Sequence, residues 1–478
     1  MPEAQLATID HIVVLMLENR SFDHMLGFLY ADSNNTSPAG HPFEGLTGNE
    51  SNNDATGNPV TVFKLDPTKP EAYFAPGADP GEGYSATNLQ LFGVDPAPTP
   101  PVATNSGFVT NYAETLKLDA ARHRPILPGT TPAEIMGIFT PEMLPVMSSL
   151  ARGFAVCDHW FGSVPTETIP NRAFVAAATS QGHMNDSTKS FTVPTIFGLL
   201  TKASVAWKIY GYDNVPLTRL DFPETTNAPE SNFGLFTDFQ HDAAAGQLPG
   251  YAFLEPSWGA TGNSQHPNYD VAKGEQLILD VYHAVSKGQD WAKTLLIITY
   301  DEHGGCYDHV PPPTGAVAPD DSVGEYGFDF TRFGPRVPTV LVSPLIAPGT
   351  VFRVPDHAMP LDHTSILKTI EERWGLPTLT DRDAAAIGVG DVLTLATART
   401  DDPLDGVTAP TSPTPPPEPD KPSHLQKVQA ELVSELPLKP DERLATKRLG
   451  ALETGDEYED YVRSRVATWK SQEPSPST

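Results

Sequence analysis

Carboxylate and amide side chains follow two strongly apolar runs that lie far apart in the sequence. The first run is followed by Glu18 and Asn19. The second run ends at Tyr300 and is followed by Asp301 and Glu302. Short apolar runs of this kind are typical of buried parallel strands, and open α/β sheets form their sites just beyond the carboxyl ends of such strands. If the two strands are neighbours, three carboxylates and one amide meet in one crevice.

Carboxylates that share a crevice repel one another, and their burial is unfavourable unless a cation neutralises them. Carboxylate and amide oxygens favour Ca²⁺, Mg²⁺ or Mn²⁺, without excluding Zn²⁺. The two strand ends therefore predict a site for one divalent metal ion. The alternative is that both are polar strand ends exposed to solvent.

A hydroxyl-rich segment could supply a nucleophile. It contains Ser163, Thr166 and Thr168 and precedes a predicted helix at residues 173–179. Backbone N–H groups at a helix N-terminus favour anionic oxygens, and a threonine hydroxyl becomes a nucleophile when a base or a metal ion activates it. The alternative is a hydroxyl that caps the helix. The residues alone do not choose among the three hydroxyls.

Two histidines lie in loop-like stretches that are rich in glycine, proline or asparagine, namely His183 and His266. Histidine titrates near neutral pH, so either residue could donate a proton to a leaving oxygen. Either could equally be a structural, hydrogen-bonded histidine. His241, His309 and His363 are interpreted as structural or supporting residues.

The composition narrows the range of partners. The 478 residues include 60 acidic and 31 basic ones, which gives a formal charge of −29. Nucleic acid rewards clusters of lysine and arginine, and anionic membranes do the same, so we expect no nucleic acid and at most transient membrane contact. The two cysteines, Cys157 and Cys306, are expected to be free, buried thiols. The sequence as written has no Sec-type signal peptide, which predicts a cytoplasmic protein or export by another route.

The positioning elements follow from apolar periodicity. Alternation of strands and helices predicts an α/β fold with a mostly parallel sheet flanked by helices. The strands are predicted at residues 9–17, 154–157, 205–210, 295–300 and 340–344. The helices are predicted at residues 21–30, 109–122, 132–152, 195–202, 274–287, 363–374, 424–435 and 456–469.

The chain is predicted to contain three parts. Residues 1–400 form a catalytic domain, in which a loop-rich insertion at residues 31–128 covers the site. Residues 401–422 form a proline-rich linker. Residues 423–478 form a helical C-terminal tail. The sequence does not indicate an oligomeric state.

Several motifs together resemble a known family. Residues 18–24 match the ENRSFDH signature of the bacterial and plant phosphoesterase family, which contains non-specific and phosphatidylcholine-hydrolysing phospholipases C and related acid phosphatases. Residues 168–172 look like its T-x-P-N-R nucleophile motif, and residues 300–312 look like its most recognisable block. Shorter similarities at residues 336–338, 343–344 and 362–365 follow in the family's order.

The resemblance implies an alkaline-phosphatase-like fold and a covalent phospho-enzyme intermediate. Thr168 would be the nucleophile and also a metal ligand. The metal ligands implied by the family are Glu18, Asn19, Thr168, Asp301 and Glu302. Asn185, and less directly His183, would lie beside the phosphate, and His266 would be the general acid.

One departure from the family's pattern concerns Glu82. Relatives often carry a histidine in this region, after an Asp-Pro pair, whereas this chain has Asp79-Pro80-Gly81-Glu82. We expect Glu82, helped by Tyr84 or Trp258, to bind a cationic head group such as choline. The alternative is an exposed loop glutamate.

The sequence therefore predicts a metal-dependent phosphoesterase of the phospholipase C type, acting on phosphatidylcholine-like lipids through a phosphothreonine. The first alternative is an acid-phosphatase-type phosphomonoesterase that acts on small phosphate esters at the same site. The second is a non-catalytic, metal-bound interaction protein, although the presence of every motif element argues against it.

Overall fold

The centre of the molecule is an eight-stranded sheet built from the apolar runs of the sequence. The computed structural model describes residues 5–355, 357–413, 421–437 and 449–471. The strands of the sheet are β1 (His11–Leu17), β2 (Ala155–Cys157), β3 (Trp207–Gly211), β4 (Phe233–Leu235), β5 (Tyr251–Glu255), β6 (Thr294–Tyr300), β7 (Thr339–Val342) and β8 (Thr350–Val351). Their order across the sheet is β8-β2-β7-β6-β1-β5-β3-β4.

Parallel pairing dominates this sheet. β1 lies between β5 and β6 and is parallel to both, whereas β7 is antiparallel to its neighbours β6 and β2. Residues 12–17 of β1 are completely buried, as expected for a central strand that is covered on both faces. The predicted α/β class with a mostly parallel sheet is confirmed.

Helices flank the sheet and connect its strands. They are α1 (Phe22–Leu26), α2 (Tyr84–Phe92), α3 (Phe108–Arg122), α4 (Pro145–Gly153), α5 (Thr168–Ala177), α6 (Ile196–Lys202), α7 (Leu217–Asp221), α8 (Pro223–Thr226), α9 (Phe236–Ala245), α10 (Val271–Ser286), α11 (Thr364–Trp374), α12 (Asp381–Ala385), α13 (His424–Ser434) and α14 (Gly455–Lys470). In the described ranges, no helix is long and apolar enough to cross a membrane.

Two predicted helices differ from the structure. Residues 132–152 are divided into the 3₁₀ helix Pro132–Met136, the short strand Gly137–Ile138 and α4. Proline cannot continue a helix but fits its first turn, and Pro145 begins α4. The helix predicted at residues 21–30 is confined to α1 because Gly27 ends it.

The C-terminal tail packs against the main body. Leu425 and Val433 of α13, together with Val466 and Trp469 of α14, are buried in the same hydrophobic core as the central strands. Both predicted tail helices are therefore present. The central part of the predicted linker, residues 414–420, lies outside the described residues. Both cysteines are buried and free.

Candidate active site

The two acidic strand ends meet at one edge of the sheet. β1 and β6 are parallel neighbours, and Leu17 is in register with Tyr300. The residues that follow them are buried, and the backbone N–H of Asn19 donates to Asp301 Oδ1 at 2.9 Å. The predicted convergence of these carboxylates is confirmed.

A glycine allows the two strand ends to approach each other. Gly304 has a φ of +60°, and a Cβ atom built on it would lie 2.0 Å from the carbonyl oxygen of Asn19. Only glycine combines this backbone conformation with this lack of volume. The N–H of Gly304 also donates to Glu302 Oε2 at 2.7 Å, so the tight turn orients the carboxylate.

Of the three candidate hydroxyls, that of Thr168 contacts the strand ends. Its Oγ1 donates to Asn19 Oδ1 at 3.0 Å. Thr166 Oγ1 instead donates to the carbonyl of Met184 at 2.8 Å, and Ser163 Oγ is buried with no hydrogen-bond partner among the described residues. Of the three hydroxyls that the sequence leaves open, Thr168 therefore shares the site with the carboxylates.

The start of α5 differs from the expected anion site. Thr168 is the first residue of the helix rather than its cap, and the N–H of Ile169 donates to Asp186 Oδ1 at 2.7 Å. This backbone donor is therefore already occupied. Asp186 N donates in turn to Glu167 Oε2 at 2.5 Å, which brings two further carboxylates to the site.

Asp301 is held by cationic and neutral donors. Arg172 Nε donates to Asp301 Oδ2 at 2.9 Å, and the guanidinium stacks on Trp258, 4.6 Å from the ring centroid. His363 Nε2 donates to the Asp301 carbonyl at 2.5 Å. Asp301 is therefore the best-compensated carboxylate of the site. Trp258 thus supports Arg172. Neither Trp258 nor Tyr84 is among the described residues that line the neighbouring cavity.

The pKa values of the other carboxylates are raised in the absence of a cation. Burial, together with the charge of Asp301, raises the pKa of Glu18 to about 6 and raises the pKa of Glu302 well above its ordinary value. Burial and the neighbouring Asp79 do the same to the pKa of Glu82. Burial also raises the pKa of Asp186 to about 7. A bound cation would reverse these shifts because it stabilises the ionised forms.

The donor set fits a hard divalent cation. Glu18 Oε2 and Glu302 Oε1 are buried oxygens without a hydrogen-bond partner in the part of the chain that the structure describes. Ligand atoms of Asp79, Glu82 and His266 lie within 4.8 Å of one another. The carboxylate oxygens could hold a divalent ion. Glu82 connects this group to the strand ends, because it accepts a hydrogen bond from Asn19 Nδ2 at 2.5 Å.

A second acidic group is neutralised by the protein itself. Ligand atoms of Asp23, Asp308 and His309 also lie within 4.8 Å of one another. Arg336 Nη2 contacts Asp23 Oδ1 at 2.8 Å, and its Nε contacts Asp308 Oδ1 at 2.9 Å. The guanidinium therefore already supplies positive charge to this acidic group.

A cavity of about 980 Å³ lies next to the site, although Thr168 and the strand-end residues are not among its described lining residues. Its lining includes Asp79, Glu82, Asp186 and His266. His266 Nε2 is 3.8 Å from Asp79 Oδ1. Burial opposes protonation of this histidine, but the charges of Asp79 and Glu18 raise the pKa of His266 above its ordinary value, which keeps a proton available at the cavity.

Asn185 and His183 are positioned differently. Asn185 lines the cavity, and its Nδ2 donates to Glu325 Oε2 at 2.7 Å. His183 lies near Lys189 Nζ and Glu325 Oε1, at 2.7 Å and 3.5 Å from its Nδ1. It is not among the described lining residues, so the structure brings Asn185 but not His183 to the cavity.

Several lining residues were not predicted. Asp79, Glu167 and Asp186 line the cavity. Each is next to a residue of a motif or a predicted site residue in the sequence, and this proximity is the signal that could have identified them. The tail also contributes to the lining through Lys421, Pro422, Ser423, His424 and Lys427. His424 Nε2 lies 3.7 Å from Asp186 Oδ2. No pattern in the sequence connects the tail to the site, because the contact depends on how the chain folds back.

Comparison with known proteins assigns a family to this arrangement. Residues 9–377 match the family model described as Phosphoesterase family. Non-specific phospholipase C6 of Arabidopsis thaliana is 37% identical over 416 residues, which cover 83% of this chain and 74% of the relative. Phospholipase C A of Mycobacterium tuberculosis is 30% identical over 415 residues, with coverage of 78% and 74%.

Among solved structures, a protein in the alkaline phosphatase superfamily from Vibrio parahaemolyticus has a TM-score of 0.33 at 13% identity. The match covers 51% of this chain and 64% of that protein. A likeness of this size adds nothing to the assignment. The family model and the sequence relatives show that this chain belongs to the Phosphoesterase family.

Proposed function

We propose that this protein is a metal-dependent phosphoesterase of the phospholipase C type that hydrolyses phosphatidylcholine-like lipids. The observation that carries the proposal is the Thr168 hydroxyl, which lies 3.0 Å from Asn19 Oδ1 among buried carboxylates. The phospholipase C relatives support the reaction class, and the adjacent cavity, which Glu167 and Asp186 line, has room for a phosphorylated head group.

In the proposed reaction the Thr168 hydroxyl releases its proton to solvent, its Oγ1 forms a bond to phosphorus, and the bond between phosphorus and the glycerol oxygen breaks. His266 donates a proton to that oxygen, since the charges of Asp79 and Glu18 favour its protonated form. Water then attacks phosphorus and returns a proton to His266. The bond between phosphorus and Thr168 Oγ1 breaks, the threonine oxygen regains a proton from solvent, and the phosphorylated head group leaves. Arg172 keeps the Asp301 carboxylate in place throughout.

Glu18, Asn19, Asp301 and Glu302 would hold the divalent cation, with Thr168 beside it. The cation would lower the pKa of the hydroxyl and offset negative charge on the phosphoryl oxygens. The free oxygens of Glu18 and Glu302 support this assignment most strongly. Both oxygens of Asp301 already accept from protein donors, so its contribution as a ligand would be weaker.

We further propose that Glu82 favours a cationic head group. Glu82 lines the cavity, and burial with the neighbouring Asp79 raises its pKa well above the ordinary value. A quaternary ammonium close to this carboxylate would stabilise its ionised form. Glu82→Gln should therefore reduce kcat/KM on choline esters more than on uncharged esters. Equal losses on both substrates would contradict this role.

The substrate class is tested with a panel of phosphatidylcholine, p-nitrophenyl phosphorylcholine and p-nitrophenyl phosphate, each with and without a chelator. The proposal predicts hydrolysis of both choline diesters and loss of activity with chelator. Preferential hydrolysis of p-nitrophenyl phosphate would favour the phosphomonoesterase instead. Full activity of the chelated protein would contradict metal dependence.

A further inference from the structure

Two apolar side chains are strongly exposed in the segment of residues 322–327, here called the 322–327 loop. Val323 is 68% exposed and Tyr326 is 63% exposed. Single exposed apolar residues are common on protein surfaces. Exposure alone therefore does not indicate a function for Val323 and Tyr326. Their position relative to the cavity does.

The 322–327 loop adjoins the mouth of the cavity through two separate contacts. The ring of Tyr326 stacks on Tyr84 with centroids 5.2 Å apart, and Tyr84 directly follows Gly83, which lines the cavity. Glu325 Oε2 accepts from Asn185 Nδ2 at 2.7 Å, and Asn185 also lines the cavity. A surface that meets this loop therefore also meets the cavity mouth.

The base of the loop is firmly attached to the body of the protein. The N–H of Glu325 donates to the carbonyl of Gly182 at 2.8 Å, and Glu325 Oε1 accepts from Lys189 Nζ at 2.5 Å. Phe328 and Phe330 are buried in a small apolar cluster directly after the loop. The exposed side chains are thus carried by an ordered support.

The backbone of Tyr326 is unusual. Its φ is +59°, a left-handed conformation that bulky residues rarely adopt. Such conformations persist where the surrounding structure determines them and occur often at functional sites. Here the conformation accompanies an aromatic ring that remains largely exposed.

The charges beside the loop indicate what kind of surface it could meet. Asp320, Asp321 and Asp329 are exposed on its two flanks, and the whole chain carries a formal charge of −29. Anionic lipid would repel these carboxylates, whereas a zwitterionic surface carries no net charge. Tyrosine is favoured at membrane–water interfaces because its ring is apolar and its hydroxyl is polar.

We propose that the 322–327 loop inserts Val323 and Tyr326 into the surface of a zwitterionic phospholipid layer and so holds the cavity mouth against the lipid. This inference rests on the proposed function as a phospholipase. The attachment is interfacial and reversible, because only two apolar side chains enter the layer.

The test compares the full-length protein with the double variant Val323→Ser/Tyr326→Ser. Rates are measured on phosphatidylcholine vesicles and on soluble p-nitrophenyl phosphorylcholine. We expect the rate on vesicles to fall at least about tenfold, given the loss of two buried apolar side chains, and the rate on the soluble ester to stay unchanged. Val102→Ser is the matched control, since Val102 is a 67% exposed valine and is not among the described lining residues.

Vesicle sedimentation separates this inference from the proposed function. In a Thr168→Ala background, binding to phosphatidylcholine vesicles should weaken with the double variant and should also weaken when phosphatidylglycerol is added. If the wild type hydrolyses no lipid but binds vesicles through Val323 and Tyr326, the proposed function fails and the docking surface stands.

Three results would overturn the docking surface. One is unchanged vesicle binding by the double variant. Another is an equal loss of rate on vesicles and on the soluble ester, which would mean that the loop shapes the cavity. The last is a wild-type dimer in solution that the double variant abolishes, which would make the loop an interface between two copies of this chain.

Discussion

At the scale of single residues, local environment separates chemically similar side chains. Thr166 and Thr168 are both buried, yet Thr166 is bonded to a backbone carbonyl and Thr168 to the Asn19 amide. Asp301 is compensated by Arg172, whereas Glu18 retains a free oxygen. The role proposed for each residue follows from these partners rather than from its type.

Replacement of the proposed nucleophile should abolish turnover. Thr168→Ala is expected to lower kcat/KM by at least about 1,000-fold, because covalent catalysis loses its attacking atom. Thr168→Ser should retain measurable activity. Thr166→Ala is the matched control, and its loss of one hydrogen bond should cost about 1 kcal/mol of stability with little effect on rate. A nearly wild-type rate for Thr168→Ala in steady-state assays would exclude Thr168 as the nucleophile.

At the scale of elements, buried carboxylates also join helices. Glu275 of α10 accepts from the N–H groups of Val146 and Met147, at 2.7 Å and 3.1 Å, and so caps the start of α4. Burial nevertheless raises the pKa of Glu275 to about 8. The contact between the two helices is therefore sensitive to pH.

The titration of Glu275 should lower the free energy of unfolding as the pH rises. Its ordinary pKa is 4.5 and its pKa in the folded protein is about 8, so between these values the unfolded chain has released a proton that the folded protein keeps. The free energy of unfolding therefore falls as the pH rises through this window. Glu275→Gln loses one backbone hydrogen bond, a cost of about 1–3 kcal/mol, but no longer titrates.

The variant's deficit in Tm relative to the wild type should therefore narrow between pH 5 and pH 8. Thermal unfolding at a series of pH values measures this difference. A deficit that is constant or grows with pH would contradict the assignment. Glu71→Gln is the matched control, because residue 71 is exposed and the substitution should leave the pH dependence of Tm unchanged.

The tail helix α13 should contribute to substrate binding. Leu425 anchors it in the core with 2% of its surface exposed, and the neighbouring His424 lines the cavity. Leu425→Asp would place an unpaired charge in the core, which is strongly unfavourable. We expect the helix to detach and KM to rise severalfold while α/β secondary structure is kept.

Steady-state kinetics and circular dichroism check this prediction for the tail. Lys117→Asp, at an exposed position on α3, is a control for the added charge. An unchanged KM in the folded Leu425→Asp variant would show that the tail is not part of the site.

At the scale of the whole molecule, the sheet edge concentrates negative charge that a cation should offset. Burial raises the pKa of Glu18 to about 6 and that of Asp186 to about 7, so the metal-free protein loses stability as the pH rises through these values. A bound cation stabilises the ionised carboxylates. Removal of metal should therefore lower Tm more at pH 8 than at pH 5.

Thermal unfolding of dialysed protein, with and without EDTA, measures this effect. Readdition of Ca²⁺, Mg²⁺, Mn²⁺ or Zn²⁺ should restore Tm and identify the preferred ion. A shift of equal size at both pH values would indicate that the chelator acts away from these carboxylates.

Much of this molecule could be predicted from its sequence. The buried runs before Glu18 and Asp301 identify β1 and β6, since apolar continuity is a strong local signal, and the strand ends meet as expected. The contacts of the Tyr84 and Trp258 side chains could not be predicted, because they depend on the packing of long loops. The contribution of His424 to the cavity lining could not be predicted either, since it depends on a contact between distant parts of the chain.

The nucleophile at the metal site is the central claim, and a trapped intermediate tests it most directly. The full-length protein is mixed with p-nitrophenyl phosphorylcholine, quenched in acid within one turnover, and digested for mass spectrometry. We predict a phosphorylcholine adduct on Thr168, which is absent from Thr168→Ala and from chelated protein. Turnover of the ester without any adduct on Thr168 would contradict the account.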